Sequence, residues 1–157
     1  SGLLSAIGIV PGQPLNVNQL RYGKLIISTD SDPDGSDIFA IVTSLLYKFW
    51  PALFDPQKPY VYRLLAPNVC AVHSKTKQRH YFKDLTEFRD QEHKFKNCEI
   101  MYYKGLGSME LEDWQQLIES DDFLLPIVDN NNTFSDTFEL LFGDDAEARK
   151  MWLTIDD

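Results

Sequence analysis

LIISTDSDPDGSDIFAIV, Leu25 to Val42, runs from one apolar stretch into another through a dense cluster of acids. With Lys24 it begins as KLIIST (24–29), a continuous β-branched run of the kind found in a strand buried on both faces. From Ser36 onward, apolar side chains fall at Ile38, Ile41, Val42, Leu45, Leu46 and Phe49, the spacing of one helix face. Ser36 or Asp37 is placed to cap that helix and Pro51 to end or bend it. Between strand and helix stand four carboxylates, Asp30, Asp32, Asp34 and Asp37. Like charges so close repel one another and packing does not require them, so either something positive sits among them or the cluster is only a solvated turn. Asp30, Asp32 and Asp34 alternate, and residues i and i+2 on a strand point the same way, so at least two carboxylates can converge. Oxygen-only donors suit a hard divalent ion, Mg2+ or Mn2+, that keeps several waters. In open α/β sheets, ligands also sit at the carboxyl ends of strands.

Residues 1–23 read as a brief helical turn (LLSAIGIV) and a loop lead-in. YVYRLLAP, NVCAVHS and RHYF read as strands, with KTKQ a hairpin turn between the last two. DLTEFRDQEHKF is an amphipathic helix entered at Asp84, EIMYYK (99–104) a strand, and MELEDWQQLIES a helix beyond the tight GLGS. Alternating strands and helices imply an α/β domain over 24–120, a mainly parallel sheet flanked by helices. From Asp121 the character changes. VDNNNTFSD is a polar loop, and TFELLF and DAEARKMWLT make two short helices, a small C-terminal helical appendage over 121–157. A chain of 157 residues fits one domain with such an appendage.

The charge is lopsided, with 24 Asp and Glu against 15 Lys and Arg, a net of -9. Nucleic-acid binding rests on cations displacing counterions, so a DNA role here requires a metal or a basic partner. Cys70 and Cys98 show neither zinc spacing nor a disulfide framework. No apolar run reaches the length of a membrane span and no signal-peptide pattern is present. The expectation is a cytoplasmic protein with no membrane partner.

Three motif readings compete for the acid cluster. Asp30-x-Asp32-x-Asp34-Gly35 opens like an EF-hand calcium loop, but the twelfth position is Ile41 rather than Glu, and a strand precedes it. DPDGS (32–36) resembles the nucleophile motif of haloacid-dehalogenase-type Mg2+ phosphatases, with GDD (143–145) as an acidic metal motif. Its first Asp should follow the strand at once, and the further downstream Asp is lacking. That phosphatase stays as an alternative, as does a non-enzymatic acidic interaction module whose cluster is a solvated helix entry. IISTDSDPDGSDI most closely resembles the metal-binding motif of the Toprim domain of type II DNA topoisomerases (gyrase B-like), where a strand runs into TDxDxDGSHI. Further segments agree in the family's order. RLLAPNVCAV resembles its TP segment, YYKGLGSME (102–110) its YKGLG signature, and LLFGDDAEARKMWLT (140–154) its closing GDxxxxRRxWL element. RYGKL (21–25) and FWPALF (49–54) also fall where the family has comparable segments. The resemblance covers nearly the whole chain from about residue 3.

The resemblance implies a Rossmann-like Toprim fold and a part in ATP-dependent cleavage and religation of double-stranded DNA. On it, Asp30 and Asp32 are catalytic metal ligands and Asp34 a supporting ligand for Mg2+. Lys104, Gly105 and Gly107 in the KGLG turn lie near DNA, as do Arg149 and Lys150 of the closing basic pair. The sequence departs from the family in three respects. No EGDSA-type motif supplies the metal-binding Glu, Asp37 stands where the family usually has His, and no tyrosine matches the nucleophile's winged-helix context. A Gly-rich ATP lid is also absent. The implied partners are an ATPase-bearing subunit that carries the Glu and a Tyr-bearing cleavage subunit, with the chain inactive alone. Some bacteriophage topoisomerases (T4-like) are divided within the Toprim region. A divided viral subunit in the bacterial host's cytoplasm is therefore the expectation, an excised piece of a longer protein the alternative.

Overall fold

The structure, a computed structural model, describes residues 2–30 and 32–130. They divide into two compact units, one made of residues 2–25, Ala40–Val61 and 127–130, the other of Ile26–Phe39 and Tyr62–Pro126.

In the first unit, helix α1 (Gly2–Ile7) leads to a loop and a 3-10 turn over Val17–Gln19. Helix α2 (Pro33–Phe49) contributes its later turns, and Pro51 opens a second 3-10 turn, Pro51–Phe54, so the helix ends before the proline as expected. Leu46, Trp50, Leu53 and Phe54 are buried. Tyr47 meets Phe54 edge-on with ring centroids 5.5 Å apart, and its hydroxyl donates to Asp129 Oδ2 at 2.6 Å. The apolar stripe read from the sequence is only partly covered. Leu46 is buried, whereas Ile41, Leu45 and Phe49 are exposed.

The second unit carries nearly all the strands, β1 (Leu25–Ser28), β2 (Val61–Leu64), β3 (Val69–His73), β4 (Arg79–Phe82), β5 (Cys98–Tyr102) and β6 (Leu124–Pro126), with helices α3 (Leu85–Gln91) and α4 (Leu111–Leu117). The strands form two three-stranded sheets ordered β1-β2-β6 and β4-β3-β5. The expected α/β architecture with flanking helices is present. Its pairing departs from a mainly parallel sheet, for β6 runs antiparallel to β2, and β4 and β5 run antiparallel to β3. The β3–β4 link explains part of this, because a short turn can only return the chain antiparallel. It is closed by Lys77 N–H donating to the His73 carbonyl at 2.9 Å, with Lys77 at a φ of 59°. β6 draws Leu124–Pro126, expected in the helical appendage over 121–157, into a sheet with β2 instead.

β3 shows why the core sits where it does. Val69 and Ala71 pack with Phe82 and Phe88, while Cys70 and Val72 pack with Leu64, Tyr103, Met109, Leu117, Phe123 and Leu124. Alternate residues of one strand thus serve two apolar clusters, as strand geometry dictates. β1 differs from the expected strand buried on both faces, since all four of its residues are half-buried.

One buried polar group ties α4 to β4. Asp113 has no exposed surface, yet accepts from the Arg79 guanidinium, from the Tyr81 hydroxyl at 2.9 Å and from the Glu110 backbone N–H at 2.7 Å. Arg79 also pairs with Glu110. A buried carboxylate persists only when paired in this way. Asp84 caps α3 as expected, accepting from the Thr86 and Glu87 N–H groups at 2.8 and 2.9 Å.

Candidate functional site

The acidic turn lies in the second unit, between the end of β1 and the start of α2. The helix begins at Pro33, three residues before the expected caps, and Asp32 caps it. Asp32 Oδ1 accepts from Gly35 N–H at 2.7 Å, and its carbonyl accepts the first helical bond from Ser36 N–H at 3.1 Å. The physical reason is Pro33, whose fixed φ and missing N–H suit the first helical position. Gly35 is buried, and any Cβ there would overlap the Asp30 carbonyl oxygen and stand 3.0 Å from Asp32 Oδ1. Only glycine lets the chain fold back this tightly.

Asp30 is exposed at the end of β1, and Leu106 N–H donates to its Oδ1 at 2.8 Å. Leu106 opens a 3-10 turn, Leu106–Ser108, after Gly105. A Cβ on Gly105 would lie 3.0 Å from Asp30 Oδ1 and 3.5 Å from Oδ2. A side chain at 105 would therefore press on the Asp30 carboxylate, which would have to give by a few tenths of an ångström, while the extended backbone there (φ 177°) is open to any residue. Gly107 has open space around its Cα and takes no part in this approach. Asp34 lies in the first turn of α2 and Asp37 one turn further on, both exposed. Among the described residues, no group of three or more His, Cys, Asp or Glu side chains gathers closely enough to hold a metal. Asp30, Asp32 and Asp34 accordingly do not form a three-carboxylate cage.

The donor set still fits a small, heavily hydrated cation. Asp30 keeps Oδ2 and Asp32 keeps Oδ2 without hydrogen-bond partners among the described residues. Two carboxylates, Asp32 capping α2 beside the buried Gly35 and Asp30 bonded to Leu106 N–H, suit Mg2+, which retains several waters and takes one or two protein carboxylates.

A cleft of about 130 Å3 opens beside Asp30, lined by Thr29, Asp30, Arg63, Leu64, Leu65, Ala66 and Lys83. The Arg63 guanidinium lies 4.4 Å from the centre of the Phe39 ring, and Lys83 Nζ 5.8 Å from that of Phe123.

No family model matches the chain. DNA topoisomerase 2 of Arabidopsis thaliana is 32% identical over 149 residues, covering 88% of this chain and 10% of that protein. The DNA topoisomerase small subunit of Enterobacteria phage T4 is 29% identical over 139 residues, covering 87% of this chain and 82% of that protein. Among solved structures, the DNA-binding, cleavage and re-ligation domain of Plasmodium falciparum topoisomerase II superposes with a TM-score of 0.71 at 26% identity, covering 97% of this chain and 21% of that one. The chain is homologous to the type II DNA topoisomerases and carries their Toprim fold. It spans a tenth of the Arabidopsis relative and most of the phage one.

Within this Toprim fold, the structure brings two of the sequence signatures together. Asp30 of the acidic motif and Gly105–Leu106 of the YKGLG motif meet through the Leu106 hydrogen bond. Lys104 is exposed immediately before that turn. Arg149, Lys150, the GDD at 143–145 and the two short helices expected after Asp136 lie outside the described residues. Arg63 and Lys83 were not legible in the sequence. They stand 20 positions apart, and only the placement of β2 and of the chain leaving β4 brings both to the Asp30 cleft.

Proposed function

We propose that this chain is the Toprim component of a type II DNA topoisomerase, binding Mg2+ through Asp30 and Asp32 and acting in cleavage and religation of duplex DNA together with partner polypeptides. The observation that carries the reading is the 2.8 Å bond from Leu106 N–H to Asp30 Oδ1, which joins the acidic motif to the YKGLG turn across 76 positions of sequence. A packing role would not call for a glycine at 105, kept clear so that backbone can approach a carboxylate.

When bound, Mg2+ would supply charge neutralisation at the reacting phosphate and its leaving oxygen. The chain's own residues set up that chemistry. Leu106 N–H holds one oxygen of Asp30 and leaves the other open. Asp32 is fixed by its helix cap, with its second oxygen open. Asp34 and Asp37 raise the negative potential without direct coordination. Lys104, exposed beside the Gly105 turn, offers a cation to a DNA phosphate, and Arg149 and Lys150 are proposed for the same role. The Glu of an EGDSA-type motif, the nucleophilic Tyr and the ATP site come from outside these 157 residues, in an ATPase-bearing and a Tyr-bearing polypeptide.

The exposed Ile41, Leu45 and Phe49 of α2 support the partner reading, since contiguous exposed apolar surface marks interaction sites. So does the charge of -9, which leaves most of the DNA-gripping cations to those partners. The reading places the assembly in the cytoplasm, that of a bacterial host for a viral chain.

The test is affinity capture from the native source with this chain as bait, identifying the captured polypeptides by mass. Recovery of an ATPase-bearing and a Tyr-bearing topoisomerase polypeptide is the expected result. Capture of neither, with Mg2+ and DNA present, would contradict the reading.

A further inference from the structure

The cleft beside Asp30 is an unusual place to find cations in so acidic a chain. It contains Arg63 and Lys83, neither of which is paired with a carboxylate among the described residues. Arg79, the neighbouring arginine on β4, is held by both Glu110 and Asp113. The contrast is informative in a protein with 24 acidic side chains available. Arg63 is also held in place, its guanidinium packed over the Phe39 ring at 4.4 Å, a contact that orients the fork without neutralising it. At about 130 Å3 the cleft far exceeds the roughly 10–15 Å3 that one water occupies. Asp30 lines the cleft as well, so Arg63 and Lys83 leave it one net positive charge, and the planar guanidinium fork beside a second cation suits a compact anion rich in oxygen acceptors.

We propose that this cleft is a phosphate subsite that takes one phosphodiester group of a nucleic acid backbone, with Arg63 donating through its guanidinium and Lys83 supplying the second charge. It deepens the reading of the Asp30 site given above, and rests on it for the identity of the backbone. The subsite lies next to Asp30, so a phosphate seated on Arg63 and Lys83 fixes the register of the strand whose neighbouring phosphate approaches the carboxylates. Both residues act as positioning residues, contributing affinity and register that carry no base information.

The test is an amide chemical-shift titration of the full chain, first with inorganic phosphate and then with a short DNA duplex. The expected result is saturable movement of the amides from Arg63 to Ala66 and at Lys83 with either ligand. It should be lost in Arg63→Gln and Lys83→Gln and retained in Lys75→Gln, which lies on the β3–β4 hairpin. Added duplex should displace phosphate from those amides, and each Gln variant should lower the slope of log affinity against log salt by about 1. Arg63→Lys keeps the charge and should keep the slope, which guards against a merely misfolded variant. Movement with phosphate but not with duplex would make the cleft a free-phosphate site and overturn the proposal. No movement at these amides with either ligand would overturn it as well. Capture of partner polypeptides decides the topoisomerase reading independently of these outcomes.

Discussion

The backbone N–H of Leu106 donates to Asp30 Oδ1 at 2.8 Å, and the Cα of Gly105 sits where a methyl group would stand 3.0 Å from the same oxygen. Two turns far apart in sequence thus set the position of one exposed carboxylate. Gly105→Ala should push that carboxylate or the turn aside. The expected outcome is at least about a tenfold loss of Mg2+-dependent DNA cleavage in the assembled enzyme, from misplacement alone. Gly23→Ala, with open space around its Cα, should leave activity and melting temperature unchanged. Equal effects of the two substitutions on activity would show that crowding at Asp30 is not the cause.

Gly35→Ala presents a harsher case, because its added methyl would overlap the Asp30 carbonyl. Overpacking against backbone should cost about 1–3 kcal/mol of stability, measurable by denaturant unfolding.

Asp32 carries two separable roles, a helix cap and an ionised carboxylate. Asn caps helices as well as Asp does, so Asp32→Asn should keep stability within about 0.5 kcal/mol while weakening Mg2+ binding. Asp32→Ala should lose both, with a further cost of about 1 kcal/mol from the missing cap. Unfolding curves and Mg2+ titrations on the two variants separate the roles. If Asp32→Asn binds Mg2+ like the wild type, Asp32 is a cap alone.

Much of this arrangement was legible in the sequence, and the remainder was not for identifiable reasons. RHYF and the Asp84 cap were readable because strand and cap signals are local. The true start of α2 was also written locally, in Asp32-Pro33, but Ser36 and Asp37 offered competing caps. The apolar period of α2 revealed a helix without saying which of its residues are covered, and Ile41, Leu45 and Phe49 turned out exposed. Antiparallel pairing of β5 and β6 depends on strand order, which alternation of elements does not encode. Arg63 and Lys83 meet at the Asp30 cleft for the same topological reason.

Asp113 should prove the most sensitive position away from the site. Asp113→Ala removes the acceptor for Arg79 and Tyr81 and one half of the α4 capping box. Leaving the guanidinium of Arg79 with only its exposed partner Glu110 should destabilise the fold by about 3 kcal/mol. A loss under about 1 kcal/mol in chemical denaturation would contradict this account of the network.

Alkaline pH offers an independent probe of the same network. Burial, and then the hydrogen bond to Asp113, raise the Tyr81 pKa above its ordinary value of 10.0, and burial raises Tyr103 likewise. A group whose folded pKa is raised contributes its stability fully below the unfolded pKa and loses it as pH climbs beyond. Stability should therefore be insensitive to these tyrosines below about pH 10 and fall above it. In Tyr81→Phe the fall should be shallower, Tyr103 still contributing. An unchanged alkaline slope in that variant would show that Tyr81 titrates as freely in the fold as out of it.

The most direct measurement of the central claim is Mg2+-dependent cleavage of duplex DNA by the complex assembled on this chain, wild type against Asp30→Asn. Loss of an outer-shell partner typically costs a metal site 10–100-fold, so loss of a ligand should cost at least about 100-fold. The account predicts that Asp30→Asn assembles normally and cleaves at least that much more slowly. Assembly with cleavage at the wild-type rate would contradict it.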